Sequence, residues 1–341
     1  MGKNLFIFIL ISLLSFGFNN TVVAQAAENV EITGKFAQKF AAGITKSDLK
    51  THLYIIASDE FEGRNTGEPG QKLAAAYIKD FYIARNIASP LGENNYFQII
   101  SAEHMQRNLK PSENVVAFIK GSEKPDEIVV ISAHYDHLGM NEEGDVYNGA
   151  DDDGSGTVAV MAIAEAFQKA VEEGNGPNRS ILFLHVTGEE KGLLGSKYYV
   201  NFPIFPLENT VSNLNIDMIG RSDDAHENDP NYVYLIGSDK LSKELHNLSE
   251  EMNTKFTKLK LDYTYNLDSD PNRFYYRSDH YNFAKNNIPV IFYFNGTHEN
   301  YHRISDTPDK INYELLAKRT QLVFYTAWEI ANRENRIAVD K

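Results

Sequence analysis

The sequence predicts an α/β fold in which one central sheet is covered by helices on both faces. Two observations carry this expectation. Short apolar runs such as Ile128–Ile131 and Ile181–Val186 alternate along the chain with stretches of helical spacing. Those runs lack the polar residue at every second position that a half-solvated strand shows, so neither sheet face is left to water. In folds of this kind the functional side chains sit beyond the C-terminal ends of the strands. A chain of 341 residues with 42% hydrophobic content suffices for one well-packed core, and two full domains would be crowded in it.

Taken in order, the chain starts Met1-Gly2-Lys3-Asn4, runs from Leu5 to Phe18 with almost no polar side chains, and continues Val22-Val23-Ala24-Gln25-Ala26-Ala27. A basic start, a short apolar segment and an Ala-x-Ala site match a secretory signal peptide. The run is short against the roughly 20 apolar residues of a membrane-spanning helix. Residues 1–26 are therefore expected to be a signal peptide and 27–341 an exported domain, periplasmic or secreted, with no membrane attachment after cleavage. Gly67-Glu68-Pro69-Gly70 is a turn cluster. After it, Leu73, Ala76, Tyr77, Ile78 and Phe81 lie at helical spacing and make 71–86 a helix. Residues 127–133 read as a buried strand and 155–170 as an Ala-rich helix, broken by Gly174-Asn175-Gly176-Pro177. A strand over 180–186 and a helix over 193–200 follow, then strands over 211–218 and 232–236. Helices over 241–252 and 281–286, a strand over 288–294 and a long helix over 313–332 complete the pattern. Residues 223–229 are polar and read as a mobile loop; 259–276 are irregular and Tyr-rich and read as an insertion overlying the site.

The formal net charge is -14, with no block of lysines or arginines. Such a surface disfavours nucleic acid and anionic membranes as partners. There are no cysteines, which excludes disulfides and thiolate metal sites. Any metal must be held by His, Asp or Glu.

Five segments put acids or histidines at strand exits or helix starts. Ser132-Ala133-His134-Tyr135-Asp136-His137 follows the strand ending at Ile131. His134 reads either as a satisfied structural residue or as a ligand, with the Asp136 carboxylate able to accept its far ring N–H. Gly149-Ala150-Asp151-Asp152-Asp153-Gly154 has more acids than one helix cap requires, and a bound cation would offset their repulsion. In Thr187-Gly188-Glu189-Glu190 the adjacent carboxylates suit either a first helical turn or two separate tasks, one ligating a metal and the other taking a proton from water. Asp217 sits within the apolar strand Val211–Met218, where an unpaired acid is costly to bury. His298-Glu299-Asn300-Tyr301-His302 is a loop followed by Ser305-Asp306-Thr307-Pro308. Together these segments could surround two divalent cations with one carboxylate between them, and nitrogen and oxygen ligands suit zinc, manganese or cobalt.

In order and wording the five segments resemble the M28 metallopeptidases, in their bacterial leucyl-type aminopeptidase branch. The resemblance runs from Phe61-Glu62-Gly63-Arg64 to Asp306-Thr307-Pro308-Asp309-Lys310. It implies a three-layer α/β sandwich of the zinc-exopeptidase type with a mostly parallel, mixed central sheet. It also implies a two-zinc aminopeptidase acting on peptides. On this resemblance His134, Asp152, Glu190, Asp217 and His302 are metal ligands, Asp152 bridges, and the Asp152-Asp153 peptide bond is cis. Glu189 matches the general base, and Tyr301 matches a tyrosine that stabilises the oxyanion. Arg277-Ser278-Asp279-His280 resembles a motif near the substrate pocket. Asn300 stands where many members have Asp, at a position that is not a ligand. Residues 96–114 are too few for the extra domain that some members insert. A carboxypeptidase or dipeptidase of the same family would need a basic residue for a substrate carboxylate, for which Arg277 and Arg303 are candidates. A glutaminyl cyclase, which has a related fold and works with one zinc, and a non-catalytic binding module are two further readings of the same residues.

Overall fold

The structure is a computed structural model that describes residues 34–106 and 108–341; the expected signal peptide lies outside them. In chain order the elements are a helix over 34–41 (α1), α2 (Lys46–Ile56), α3 (Pro69–Ala84), β1 (Phe97–Ile100), β2 (Ser112–Ile119), β3 (Lys124–His134), β4 (Gly139–Met140), β5 (Val146–Tyr147), α4 (Gly156–Glu172), β6 (Arg179–Val186), α5 (Leu194–Asn201), β7 (Thr210–Ile216), β8 (Tyr232–Ile236), α6 (Lys243–Met252), β9 (Lys260–Asp262), α7 (His280–Ala284), β10 (Val290–Phe294) and α8 (Tyr313–Asn332). Several helix starts are written locally. Thr45, Ser242 and Asn312 accept from the backbone N–H of Asp48, Leu245 and Leu315, each satisfying a donor that the helix cannot. Pro69 opens α3, where its missing N–H costs nothing.

Eight strands form one sheet in the order β1-β2-β6-β3-β7-β10-β8-β9, and β4 and β5 make a separate hairpin. The centre, β6-β3-β7-β10, is parallel. The flanks add antiparallel pairs, β1 with β2, β2 with β6, and β8 with β10. Side chains of β3 alternate between the two faces. Val129, Ile131 and Ala133 enter the core under α2, α3, α4 and α8. Ile128 and Val130 enter the core that Tyr199 and Val200 of α5 and Phe283 of α7 close on the other side. The expected sheet covered on both faces, mostly parallel and mixed, is therefore what the chain forms.

The elements anticipated from periodicity are present, with shifted ends. Helices α1 and α2, strands β1, β2 and β9 and the β4–β5 hairpin were not anticipated. Strand β7 ends at Ile216, so Asp217 lies just past the strand rather than inside it. The polar segment 223–229, expected as a mobile loop, is anchored instead. Asp223 and His226 are buried, and Asp223 receives Tyr234 Oη at 2.7 Å and pairs with His226 Nδ1 at 2.8 Å. Its polarity serves an internal network. No helix among the described residues is long and apolar enough to cross a membrane.

Candidate metal centre

The parallel strands β3, β6 and β7 end side by side, and each delivers one of the predicted segments at its C-terminal edge. His134 closes β3, Glu189 and Glu190 follow β6, and Asp217 follows β7. The loop before α4 brings Asp152, and the segment after β10 brings Tyr301 and His302. The five proposed ligands converge. His134 Nε2 lies 3.2 Å from Asp152 Oδ1 and 3.6 Å from Asp217 Oδ1. His302 Nε2 lies 3.0 Å from Asp152 Oδ2 and 3.3 Å from Glu190 Oε1. Asp152 thus turns one oxygen toward each half of the pocket, as a bridging carboxylate requires.

The three consecutive aspartates divide their work. Asp151 Oδ1 accepts from Gly220 N at 2.6 Å, and its Oδ2 faces His298 Nε2 at 3.1 Å. Asp153 accepts from the backbone N–H groups of His134, Gly156 and Met218, tying the ends of β3 and β7 to the start of α4. A grouping of His134, Asp153 and Asp217 around one cation is also compatible with distance alone. The Asp153 oxygens, however, already accept three N–H bonds, whereas those of Asp152 face imidazoles. The Asp152-Asp153 peptide bond is cis, as the resemblance implied.

One expected detail differs. His134 Nδ1 lies 3.0 Å from the Asp136 backbone carbonyl and 3.8 Å from its carboxylate, so the main chain fixes the ring. The Asp136 carboxylate instead receives Thr66 Oγ1 at 2.7 Å and the Glu189 backbone N–H at 3.1 Å, which sets the start of the Glu189-Glu190 turn. Neighbouring His298 points to Asp151 and away from the pocket. A second support was not foreseen. Asn213, Ser132, Asn215 and Ser278 form a buried hydrogen-bonded chain with links of 2.7–2.9 Å. It ends with Ser278 Oγ donating to Asp217 Oδ2 at 2.7 Å. That bond leaves Oδ1 toward His134. The alternation Asn213, Asn215, Asp217 along β7 and just past its end was the available signal, since polar residues two apart share a sheet face.

The residues present fit divalent cations. His134 Nε2, Asp152 Oδ2 and Glu190 Oε1 are buried and have no hydrogen-bond partner, although most buried polar atoms do. Burial pulls the His134 imidazole down, but Asp217, Asp152 and Glu189 outweigh it and hold it well above the usual histidine range. His137 adds a fully buried imidazole, with Nδ1 2.9 Å from Glu190 Oε1. Nothing in the sequence pattern assigns this residue a role.

Beside the ligands lies a small pocket, lined by Asp152, Glu189, Asp217, Ser278, Thr297, Tyr301 and Arg277 and by the apolar Met218, Phe274, Phe292 and Phe294. Burial, then the charges of Glu190, Asp217 and Asp279, hold the Glu189 carboxyl well above the usual range, against the pull of His134. Burial and the carboxylates of Asp152, Glu190 and Asp217 push the Tyr301 phenol upward, so it keeps its proton. Its ring stacks on His302 at 3.9 Å between centroids. Part of the Tyr-rich stretch 259–276 does reach the site, through Phe274.

Fold and site together define an α/β sandwich of the zinc-exopeptidase type, with a His and carboxylate constellation at the exits of its parallel strands. The chain belongs to peptidase family M28, whose model matches residues 114–327, more than half of its length. It is 28% identical over 259 residues to a probable zinc metalloprotease of Pyricularia oryzae, covering 64% of this chain and 50% of that one. It is 25% identical over 273 residues to aminopeptidase Y of Saccharomyces cerevisiae, covering 76% and 46%. The chain thus spans about half the length of these relatives. The LapA aminopeptidase of Legionella pneumophila shares the fold, with a TM-score of 0.68 at 20% identity over 89% of this chain and 76% of that one.

Proposed function

We propose that this chain is an exported aminopeptidase that binds two zinc ions and removes N-terminal residues from peptides. The observation that carries the reading is the convergence of His134, Asp152, Glu190, Asp217 and His302 on one pocket with Glu189 in its wall. His134 and Asp217 would hold one cation, Glu190 and His302 the other, and Asp152 both. Zinc, when bound, supplies Lewis acidity toward the scissile carbonyl and lowers the pKa of water. Glu189 accepts the proton of the attacking water and returns it to the leaving amine, a role that its raised proton affinity suits. The protonated Tyr301 phenol donates to the oxyanion as charge develops there. Met218, Phe274, Phe292 and Phe294 form a wall for an apolar side chain, and the carboxylates beside it attract an α-ammonium group. The basic start, apolar run and Ala-x-Ala site of residues 1–26 support export, with 27–341 as the working domain.

Glu189→Gln tests the base. It should leave zinc content unchanged and lower kcat by orders of magnitude; near-full activity would remove Glu189 from the mechanism. One observation favours a second reading. Arg277 lines the same cavity, is exposed, and packs its guanidinium over Phe274 at 4.7 Å, with no carboxylate partner among the described residues. A free cation there suits the C-terminal carboxylate of a very short substrate, which would make the enzyme a dipeptidase. Aminoacyl-nitroanilides assayed beside N-blocked and C-amidated dipeptides separate the two: an aminopeptidase cleaves the nitroanilides and tolerates C-amidation, whereas a dipeptidase loses its substrate on amidation.

A further inference from the structure

We propose that His137 is a further ligand of the cation held by Glu190 and His302, so that this pole carries two imidazoles and the other carries one. The proposal rests on the two-cation reading above. His137 is fully buried, and neither ring nitrogen has a hydrogen-bond partner. An imidazole left so costs about 1–3 kcal/mol per unpaired group. Nothing about the ring's position is loose. Its backbone N–H donates to Arg64 O at 3.1 Å. Gly149, at φ 54, lies against the ring so closely that a Cβ there would sit 2.5 Å from ring carbons.

The ring's Nδ1 is 2.9 Å from Glu190 Oε1 and 3.8 Å from Asp152 Oδ2, and Glu190 Oε1 is 3.3 Å from His302 Nε2. A hydrogen bond between His137 and Glu190 would meet the distance but not the direction, since both atoms remain unpartnered. With the Asp152 carboxylate they form a group whose donor atoms all lie within 4.8 Å of one another. Ligand bonds of roughly 2.1 Å at angles of 90–130° put donor atoms roughly 3.0–3.8 Å apart, close to the 2.9–3.8 Å found here.

The consequence is an asymmetric centre. Asp152, Glu190, His302 and His137 complete four protein ligands at one pole, the number that closes a zinc site. His134, Asp217 and Asp152 supply three at the other, the number that leaves a position open for chemistry. The His137 pole therefore holds the tighter ion, and the His134 pole the more exchangeable one.

The test is titration of metal-free protein with Zn²⁺ against a chromophoric chelator, and with Co²⁺ followed by visible absorption. Wild type should take up two ions in separable steps. His137→Ala and His137→Gln should weaken the tight step by more than about 100-fold, beyond the 10–100-fold typical of a residue that only orients a ligand. They should also change the Co²⁺ spectrum of the first equivalent and leave the weaker step alone. Circular dichroism and the urea midpoint of the metal-free variants report folding, and the glutamine variant, which keeps a polar side chain, guards against collapse of the alanine one. Variants that bind both ions with wild-type affinity and spectra would overturn the role of His137 alone. Uptake of a single zinc by the wild type would sink the two-cation reading and this proposal with it.

Discussion

Arg64→Lys should destabilise the metal-free protein by about 3 kcal/mol, because one buried guanidinium fastens together the loops that carry the site. Arg64 is fully buried. Its Nε donates to Tyr135 O at 2.9 Å, Nη1 to Ile56 O at 2.9 Å and Asn148 O at 2.7 Å, and Nη2 to Gly149 O at 2.8 Å. The end of α2, the exit of β3 and the approach to the three aspartates thus meet on one planar fork. A lysine carries its donors on a single atom and, from the same backbone position, reaches about half of these carbonyls. Two carbonyls left unpaired cost about 1–3 kcal/mol each, and a fall of 3 kcal/mol lowers Tm by roughly 5 °C in a domain of this size. Urea unfolding of metal-free protein at neutral pH measures it. Arg64→Met, which removes every donor, should be worse than the lysine variant. A loss below about 1 kcal/mol for lysine would refute the fork as a structural centre.

Ser278→Ala removes the donor to Asp217 Oδ2 and should weaken Zn²⁺ at the His134 pole by about 10–100-fold; chelator competition that finds wild-type affinity would show that the polar chain through β7 does not orient the ligand. His280 gives the pH prediction. It is fully buried, its ring stacks on Phe292 at 4.8 Å, and burial lowers its pKa to about 3. The unfolded chain binds that proton from about pH 6.5 downward and the folded chain does not, so this stability is complete above pH 6.5 and drains away as pH falls toward 3. Between pH 7.5 and 5, wild type should lose about 2 kcal/mol more than His280→Phe. Parallel urea-derived stability profiles for the two proteins would contradict this.

The sheet and its active edge were legible because strand exits are where local patterns change abruptly. Ile128–Ile131 stops at His134, Ile181–Val186 at Glu189, and the β7 run at Asp217, so apolar burial and chemistry separate cleanly along the chain. What stayed hidden has physical reasons. Strand β1 is four residues with one exposed position, too short to show a period. Helix α2 does carry a signal, Leu49, Leu53 and Ile56 after the Thr45 cap, but it spans barely three turns. His137 was invisible in its role because adjacency in sequence says nothing about where a ring points. The close approach of Gly149, twelve residues on, and the backbone bond to Arg64 fix it. Likewise Asp136 looked like the partner of His134 because it is two residues away. Once folded, the backbone carbonyl is the nearer acceptor, and the carboxylate is released to hold the turn after β6.

Four carboxylates, Asp152, Glu189, Glu190 and Asp217, face one pocket, and the side chains paired with them there are imidazoles. Like charges so close repel, and two divalent cations would match them in total charge, so metal should stabilise the folded state well beyond its direct contacts. By mass action an ion that binds only the folded chain adds about 4 kcal/mol at a thousandfold excess over its Kd. Stripping the protein with a chelator should therefore lower Tm by roughly 6 °C or more, abolish hydrolysis, and leave the far-ultraviolet spectrum unchanged at 25 °C. The core under α4 and α8 contains no pocket residue, which is why the stripped fold should persist. Adding back Zn²⁺ should restore Tm in two steps of unequal midpoint. A melting temperature indifferent to chelator would mean that the carboxylates are neutralised by protons rather than by cations, and the pocket would then be acidic for a reason other than metal.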